Sequence, residues 1–289
     1  MYKKILLSFL VISISASTIK AKTSPPSFSH EFSLRVEYMR YFYKEPNIYQ
    51  NDLARELGAV WMNDTGNLYG LNGSYRLTWK DTLFIQPEGR ILYGKHDYRT
   101  GRKEKVTGKT KNKIPVLVYE PRLIVGGKIP AMNKLTISPY TGIGYRFKND
   151  DSEDVKYIDL RPNVRRSHKV LGYYRKSNYV YVPLGASVDY ALNDTWSLSL
   201  KGEYDWMLKA WHYDRNRNFI GDESKTFKQP NGYGFKGEAS VSYLYNKVKF
   251  SVSPYLNYWN IRNSKRSHSG AREPYNITWE SGIKLGMTF

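Results

Sequence analysis

Residues 275–289 limit what this chain can fold into more than any other stretch. Tyr275, Ile277, Trp279, Ile283, Leu285, Met287 and Phe289 fall on one side of a two-residue repeat, and only Ser281 breaks that row. Asn276, Thr278, Glu280, Gly282, Lys284, Gly286 and Thr288 fall on the other side. A period of two belongs to a strand, whose successive side chains point to opposite faces. One face is apolar and aromatic, and the other is small or charged. A strand with lipid outside and a polar lumen inside needs that division.

The same alternation recurs along the chain. It predicts strands over residues 32–43, 68–79, 83–98, 114–127, 134–147, 176–190, 195–211, 232–245, 248–261 and 275–289. Short turns at Lys80-Asp81, 128–133, 191–194 and Asn246 alternate with long segments at 44–67, 99–113, 150–175, 213–231 and 262–273. Residues 52–57 have the composition of one helical turn. The expected fold is therefore all-β: a ten-stranded antiparallel transmembrane β-barrel with short periplasmic turns and long extracellular loops. A soluble sandwich is disfavoured, because 26 Tyr, 7 Trp and 11 Phe would leave a large apolar surface in water. No apolar run is long enough for a transmembrane helix.

The start of the chain fits this reading. Lys3 and Lys4 precede the apolar run Ile5 to Ile14, and small residues follow up to Ala21. Residues 1–21 are expected to be a signal peptide, 22–31 a periplasmic tail and 32–289 the barrel. There are no cysteines, so neither a disulfide framework nor a thiolate site is available.

With its aromatic last strand ending at Phe289, the sequence resembles the outer-membrane β-barrel proteins of Gram-negative bacteria. That resemblance implies the cell outer membrane as location, with outer-membrane lipid and lipopolysaccharide as surroundings. It also implies a barrel assembly machinery that reads Phe289.

An outward face defines an inward one. The charges expected to point inward are Arg35, Glu37, Arg76, Glu88, Arg90, Glu120, Arg122, Arg146, Asp189, Lys201, Glu203, Asp205, Lys236, Glu238, Lys249, Glu280 and Lys284. The two signs nearly balance, as a narrow lumen requires, because a buried charge is tolerable only when paired. Barrels of about eight strands are filled by side chains, whereas water channels need about sixteen. A salt-bridged plug is the expected interior, and a narrow solute channel is the alternative. Pro87, Pro121, Pro139, Pro183 and Pro254 fall inside strands, where each deletes a donor. Pro87, Pro139 and Pro254 are expected to form a layer of bulges.

Chemistry-bearing patterns are few. His30, His96, His168, His212 and His268 show no ligand spacing, so no metal or cofactor is expected, and the last four read as solvated rim or loop residues. Two families of barrel enzymes offer comparisons. Outer-membrane phospholipases place a His and a Ser two apart on one strand face, but His268 and Ser269 are adjacent and would point oppositely. Omptin proteases are ten-stranded and of similar length, with an Asp-x-His pair facing a carboxylate pair. Here the nearest run is Ala210-Trp211-His212-Tyr213-Asp214, with Ala210 where that family has Asp, and no Asp-x-Asp occurs. What survives of an omptin-like reading is Asp205, His212 and Asp214 activating a water at the rim.

The formal charge of +19 calls for an acidic partner. No nucleic-acid-binding motif is present, so no specific nucleic-acid recognition is expected. Arg99, Arg102, Lys103, Lys105, Lys109, Lys111 and Lys113 surround Glu104 alone in 99–113. Further cations lie at Arg161, Arg165, Arg166, Lys169, Arg262, Lys265, Arg266 and Arg272. Such loops would bind a polyanion, lipopolysaccharide above all, through phosphate-matched guanidinium forks. The function expected is a structural or surface-interaction barrel rather than an enzyme.

Overall fold

The computed structural model describes residues 28–46, 61–102, 105–152, 157–159, 173–216, 223–266 and 272–289. The expected signal peptide, the helical turn at 52–57, Lys103, His168 and His268 lie outside these residues.

Ten strands form a closed antiparallel wall. They are β1 (Phe28–Glu45), β2 (Trp61–Trp79), β3 (Leu83–Arg102), β4 (Lys105–Gly127), β6 (Leu135–Asp151), β8 (Tyr173–Ala191), β9 (Trp196–Asn216), β11 (Gly232–Tyr245), β12 (Val248–Ile261) and β13 (Asn276–Thr288). Closure is made by β1 on β13, Ser33 opposite Thr288 through Lys44 opposite Ile277. Three short strands add to the wall. β5 (Ile129–Met132) pairs with β6, β7 (Tyr157–Asp159) with β4 and β10 (Glu223–Gln229) with β9.

The tight turns follow from their residues. Lys80 and Asp81 both have positive φ, at 49° and 51°, as do Asn246 and Lys247, at 46° and 68°. Two successive positive φ values make the type I′ turn, whose twist matches that of the flanking strands. At the turn before β9, the Asn193 side-chain oxygen accepts from the Thr195 and Trp196 amides at 2.9 and 2.8 Å.

The outward row is apolar over one band. It includes Phe32, Leu34, Val36, Tyr69, Leu71, Ile91, Tyr93, Leu198, Leu200, Trp206, Leu208, Ile283 and Leu285. Above the band the outward residues turn polar, with Arg40, Asn67, Lys95 and Lys209 exposed. Arg40 and the Tyr38 hydroxyl both donate to the Asn67 side-chain oxygen, at 3.0 and 3.1 Å. A tilted strand crosses a bilayer in about 9–11 residues. β2, β4 and β9 have 19, 23 and 21, so the wall continues well above the outer leaflet.

Several expectations change here. β1 begins at Phe28, inside the stretch read as a tail. Residues 61–67 and most of 99–113 are wall rather than loop, because β2, β3 and β4 run through them. Cross-strand hydrogen bonds satisfy this backbone without a polyanion. The layer of proline bulges is also absent. The ladders skip two pairs beside Pro87, Pro121, Pro183 and Pro254 but resume in the same register. Each of these prolines stays paired on its other side. Pro139 pairs with Ala186 in unbroken register. Register shifts lie elsewhere, at Val180/Tyr181 between β8 and β9, at His96/Tyr98 and Arg99/Gly101 between β3 and β4, and in the short β5–β6 pairing.

Candidate functional site at the extracellular mouth

The lumen is layered. Its periplasmic end is a polar vestibule of about 180 Å³ lined by Arg35, Ser74, Arg76, Glu88, Asp189, Lys201, Lys249 and Lys284 among others. The middle is a charge network. Arg90 donates to Glu37 at 3.0 Å, to Glu120 at 2.7 Å and to Glu280 at 2.7 Å. Arg146 bonds Glu120 at 3.2 Å and also holds Glu280. Arg122 joins Glu88 at 2.9 Å and Glu203 at 2.6 Å, and Lys236 joins Glu120, Glu203 and Asp205 at 2.8, 3.2 and 3.0 Å. Below them Glu238 takes Arg35 at 3.1 Å and Lys284 at 2.6 Å. A cavity of about 60 Å³ lies among these groups.

Three tyrosines insert into this network over glycines of the neighbouring strand. Tyr181, Tyr140 and Tyr255 stand opposite Gly144, Gly185 and Gly282. Each ring fills the space a Cβ on that glycine would need. Their hydroxyls donate to Glu120, Glu203 and Glu37 at 2.5, 2.8 and 2.6 Å. Above the charges is an apolar and aromatic layer in two clusters, one with Met39, Tyr41, Leu68, Leu92, Val116 and Val118 and the other with Tyr179 and Trp259.

The mouth above that layer holds the chemistry-bearing residues. Ser177 of β8 stands directly opposite His212 of β9. The Ser177 hydroxyl lies 3.1 Å from His212 Nδ1, and His212 Nε2 lies 3.1 Å from Asp214 Oδ1. His212 and Asp214 are two apart on one strand and therefore share a face. Glu273, arriving just before β13, places Oε1 3.7 Å from His212 Nδ1. Arg175 reaches across the bore, with Nε 3.4 Å from Asp214 and a terminal nitrogen 3.5 Å from Glu45 of β1. The Tyr43 hydroxyl donates to Glu45 at 2.7 Å.

Electrostatics separates these acids. The His212 ring, followed by Arg175, outweighs burial at Asp214 and holds its carboxyl down to about 2. Burial, then the charge of Glu273, pushes Glu45 up to about 7. Asp214 faces Nε2 of the ring, and Nδ1 faces Ser177 and Glu273. A second buried pair lies nearby. His96 and Asp64 are each 1% exposed and 3.7 Å apart, and burial raises the Asp64 pKa. Lys148 bonds Asp150 at 2.9 Å and sits over the rings of Tyr41 and Tyr43 at 4.6 and 4.9 Å.

These positions correct several expectations. His96 and His212 are buried rather than solvated, because the wall rises past them. Asp205 is not part of the rim site. It lies seven residues below His212 on β9, roughly 23 Å of strand, and pairs with Lys236. Lys111 is buried with its amine 3.3 Å from Ser152, so it is not on an outer collar. Arg99 and Lys113 are exposed, whereas the side chains of Arg102, Lys105 and Lys109 lie outside those described. Ser177, Arg175, Glu45 and Glu273 were not foreseen, since they converge on His212 from β8, from β1 and from the segment before β13.

No family model matches the sequence, and no curated protein matches it. Among solved structures, the outer membrane protease OmpT from Escherichia coli superposes with a TM-score of 0.68 at 12% identity, covering 93% of this chain and 99% of that one. The chain folds as an outer-membrane β-barrel. Other matches include a major outer membrane protein from Thermus thermophilus, at TM-score 0.38 and 12% identity over 89% of this chain and 99% of that one. The outer membrane protein OprG from Pseudomonas aeruginosa matches at 0.34 and 12%, over 90% and 95%. At these identities the likeness is one of fold.

Proposed function

We propose that this outer-membrane barrel is a non-conducting surface protein that acts at its extracellular end and docks anionic lipopolysaccharide there. The observation that supports a closed bore is the mid-lumen network, in which Arg90, Arg146, Glu120 and Glu280 are at most 7% exposed. A pore would need a water path and would favour one sign of charge along it, and here both signs neutralise each other across the lumen. The docking reading is supported by Arg40, Lys44, Lys95, Arg99, Lys209 and Lys228, all exposed above the apolar band. Each cation near an anionic surface contributes about 1 kcal/mol, and salt weakens it. In this reading Phe289 also serves the assembly machinery as a recognition residue.

The test has two arms. Refolded protein in planar bilayers is expected to give no conductance steps, and steady openings would end the plugged reading. Lipopolysaccharide binding across a salt series is expected to fall steeply with salt. It should be largely lost when those six cations are replaced by Ser or Gln. Salt-independent binding, or none at low salt, would reduce the cations to solvating charges.

A second reading, a hydrolase with His212 as general base, is favoured by the hydrogen bond from its ring to Asp214. Hydrolysis of peptide or ester libraries that is abolished by His212→Ala would support it, and equal turnover by that variant would dismiss it.

A further inference from the structure

We propose that His212, Glu273 and Asp214 form a site for a divalent cation of the zinc type at the extracellular mouth. Each of the three brings a ligand atom within 4.8 Å of the other two. Imidazole nitrogen and carboxylate oxygen are the donors zinc takes, at about 2.0–2.2 Å. The 3.7 Å between His212 Nδ1 and Glu273 Oε1 is too long for a hydrogen bond and suits two ligands of one ion.

Two further observations point the same way. Glu273 Oε1 is a buried acceptor with no hydrogen-bond partner, on a side chain only 3% exposed. Such an orphan requires an explanation, and an ion is one. The imidazole is also set for coordination. Asp214 accepts the Nε2 proton at 3.1 Å, which frees Nδ1, and a ligating histidine usually passes its other N–H to a carboxylate in this way. Ser177 Oγ, 3.1 Å from Nδ1, stands where a further oxygen ligand or a bound water would be held.

Charge agrees with geometry. Within this group the Arg175 guanidinium bridges the carboxylates of Glu45 and Asp214. A divalent ion beside Glu273 would offset the repulsion that Glu273 exerts on Glu45. Asp214 buttresses the ring from its Nε2 side, so its loss weakens the site through the imidazole.

The experiment uses the refolded, chelator-stripped barrel and Zn²⁺ alone, read by calorimetry. One equivalent is expected to bind with a micromolar or tighter constant. His212→Ala and Glu273→Gln should weaken binding at least tenfold. Asp214→Asn should weaken it about 10–100-fold, as loss of an outer-shell partner does, and His30→Ala should leave it unchanged. Each variant is checked for the heat-dependent gel mobility of a folded barrel. A measurement on the unaltered protein covers the case of a variant that does not fold. Zn²⁺ should protect His212 from carbethoxylation, scored by mass spectrometry. No binding below 100 µM, binding unchanged by His212→Ala and Glu273→Gln, or a His212 that Zn²⁺ does not protect would each overturn the proposal.

Discussion

The ring of Tyr181 fills the space above Gly144, its partner across the β6–β8 ladder; a Cβ there would lie 2.3 Å from the tyrosine ring. From that position the Tyr181 hydroxyl reaches Glu120, and Trp259 meets its ring edge-on at 5.2 Å. Glycine therefore sets both a packing contact and a polar one. Gly144→Val is expected to push the ring out, at about 1–3 kcal/mol for overpacking plus the lost hydrogen bond. Tyr181→Phe should cost less, because Arg90, Arg146 and Lys236 still hold Glu120. The double variant should cost little more than Gly144→Val alone, since both changes break the same contact. Urea unfolding of the refolded proteins checks this, and simple additivity of the two costs would show that glycine and tyrosine act independently.

Arg90 carries the centre of the plug. It serves three carboxylates, Glu37, Glu120 and Glu280, from three different strands. Replacing it by Met removes one buried cation and leaves Glu37 with Tyr255, and Glu120 and Glu280 with Arg146 as their remaining cation from this pair. Stranding a buried charge typically costs 3–5 kcal/mol, whereas replacing a whole pair by apolar groups is often neutral. Arg90→Met is accordingly expected to lower stability by that order, and adding Glu280→Gln should return part of it. A double variant less stable than the single one would mean that the carboxylates are not left in excess.

A pH effect follows from Asp64. Neither of its oxygens has a hydrogen-bond partner, and burial raises its pKa above the ordinary 3.8. An acid with a raised folded pKa binds protons better folded than unfolded. Its contribution to stability is full below about pH 4 and is lost as pH rises through the folded value. Asp214 has the opposite sign, since its contribution is present above 3.8 and is lost only as pH falls toward about 2. Above 3.8 Asp214 therefore stays constant, while Asp64 loses its contribution as pH rises. Asp64→Asn is expected to be more stable than the unaltered protein at pH 8, with the gap narrowing at pH 5. Unfolding midpoints at the two pH values decide it, and a gap that is the same at both would rule out Asp64 as the source.

How much of this was legible depends on what each strand touches. Where lipid lies outside, the outward row must be apolar, and Leu83, Ile85, Ile91 and Tyr93 alternate visibly with the inward Glu88 and Arg90. The inward charges could be named because parity alone assigns them. Above the outer leaflet both faces of the wall meet water, so the outward row loses its apolar signature. The strand ends at 61–67 and 99–102 then read as loop. The mouth was hidden for a different reason. His212 and Asp214 share a strand and were noticed, but Ser177 and Arg175 join them only through the β8–β9 register, and Glu45 and Glu273 only through barrel closure. The tyrosine–glycine pairs likewise depend on cross-strand register, which a linear pattern does not carry.

The closing seam provides the last test. Phe289 donates its amide to the Phe32 carbonyl at 2.8 Å and accepts from the Phe32 amide at 3.1 Å. The two rings stack with centroids 6.4 Å apart, at the lower edge of the apolar band. Both are exposed on the outer wall, Phe32 at 47% and Phe289 at 57%, where lipid covers them. Phe289→Asp would put a carboxylate against hydrocarbon at the point where β1 must find β13. The backbone pair alone does not replace the ring contact with Phe32 that the Asp variant loses. Phe289→Asp is expected to reduce the heat-modifiable, membrane-inserted form severalfold, whereas Phe289→Tyr, which keeps the ring, should preserve it. The amount of inserted protein in outer-membrane fractions is the measurement. If the Asp variant inserts as well as the unaltered protein, neither the seam nor its recognition depends on this ring.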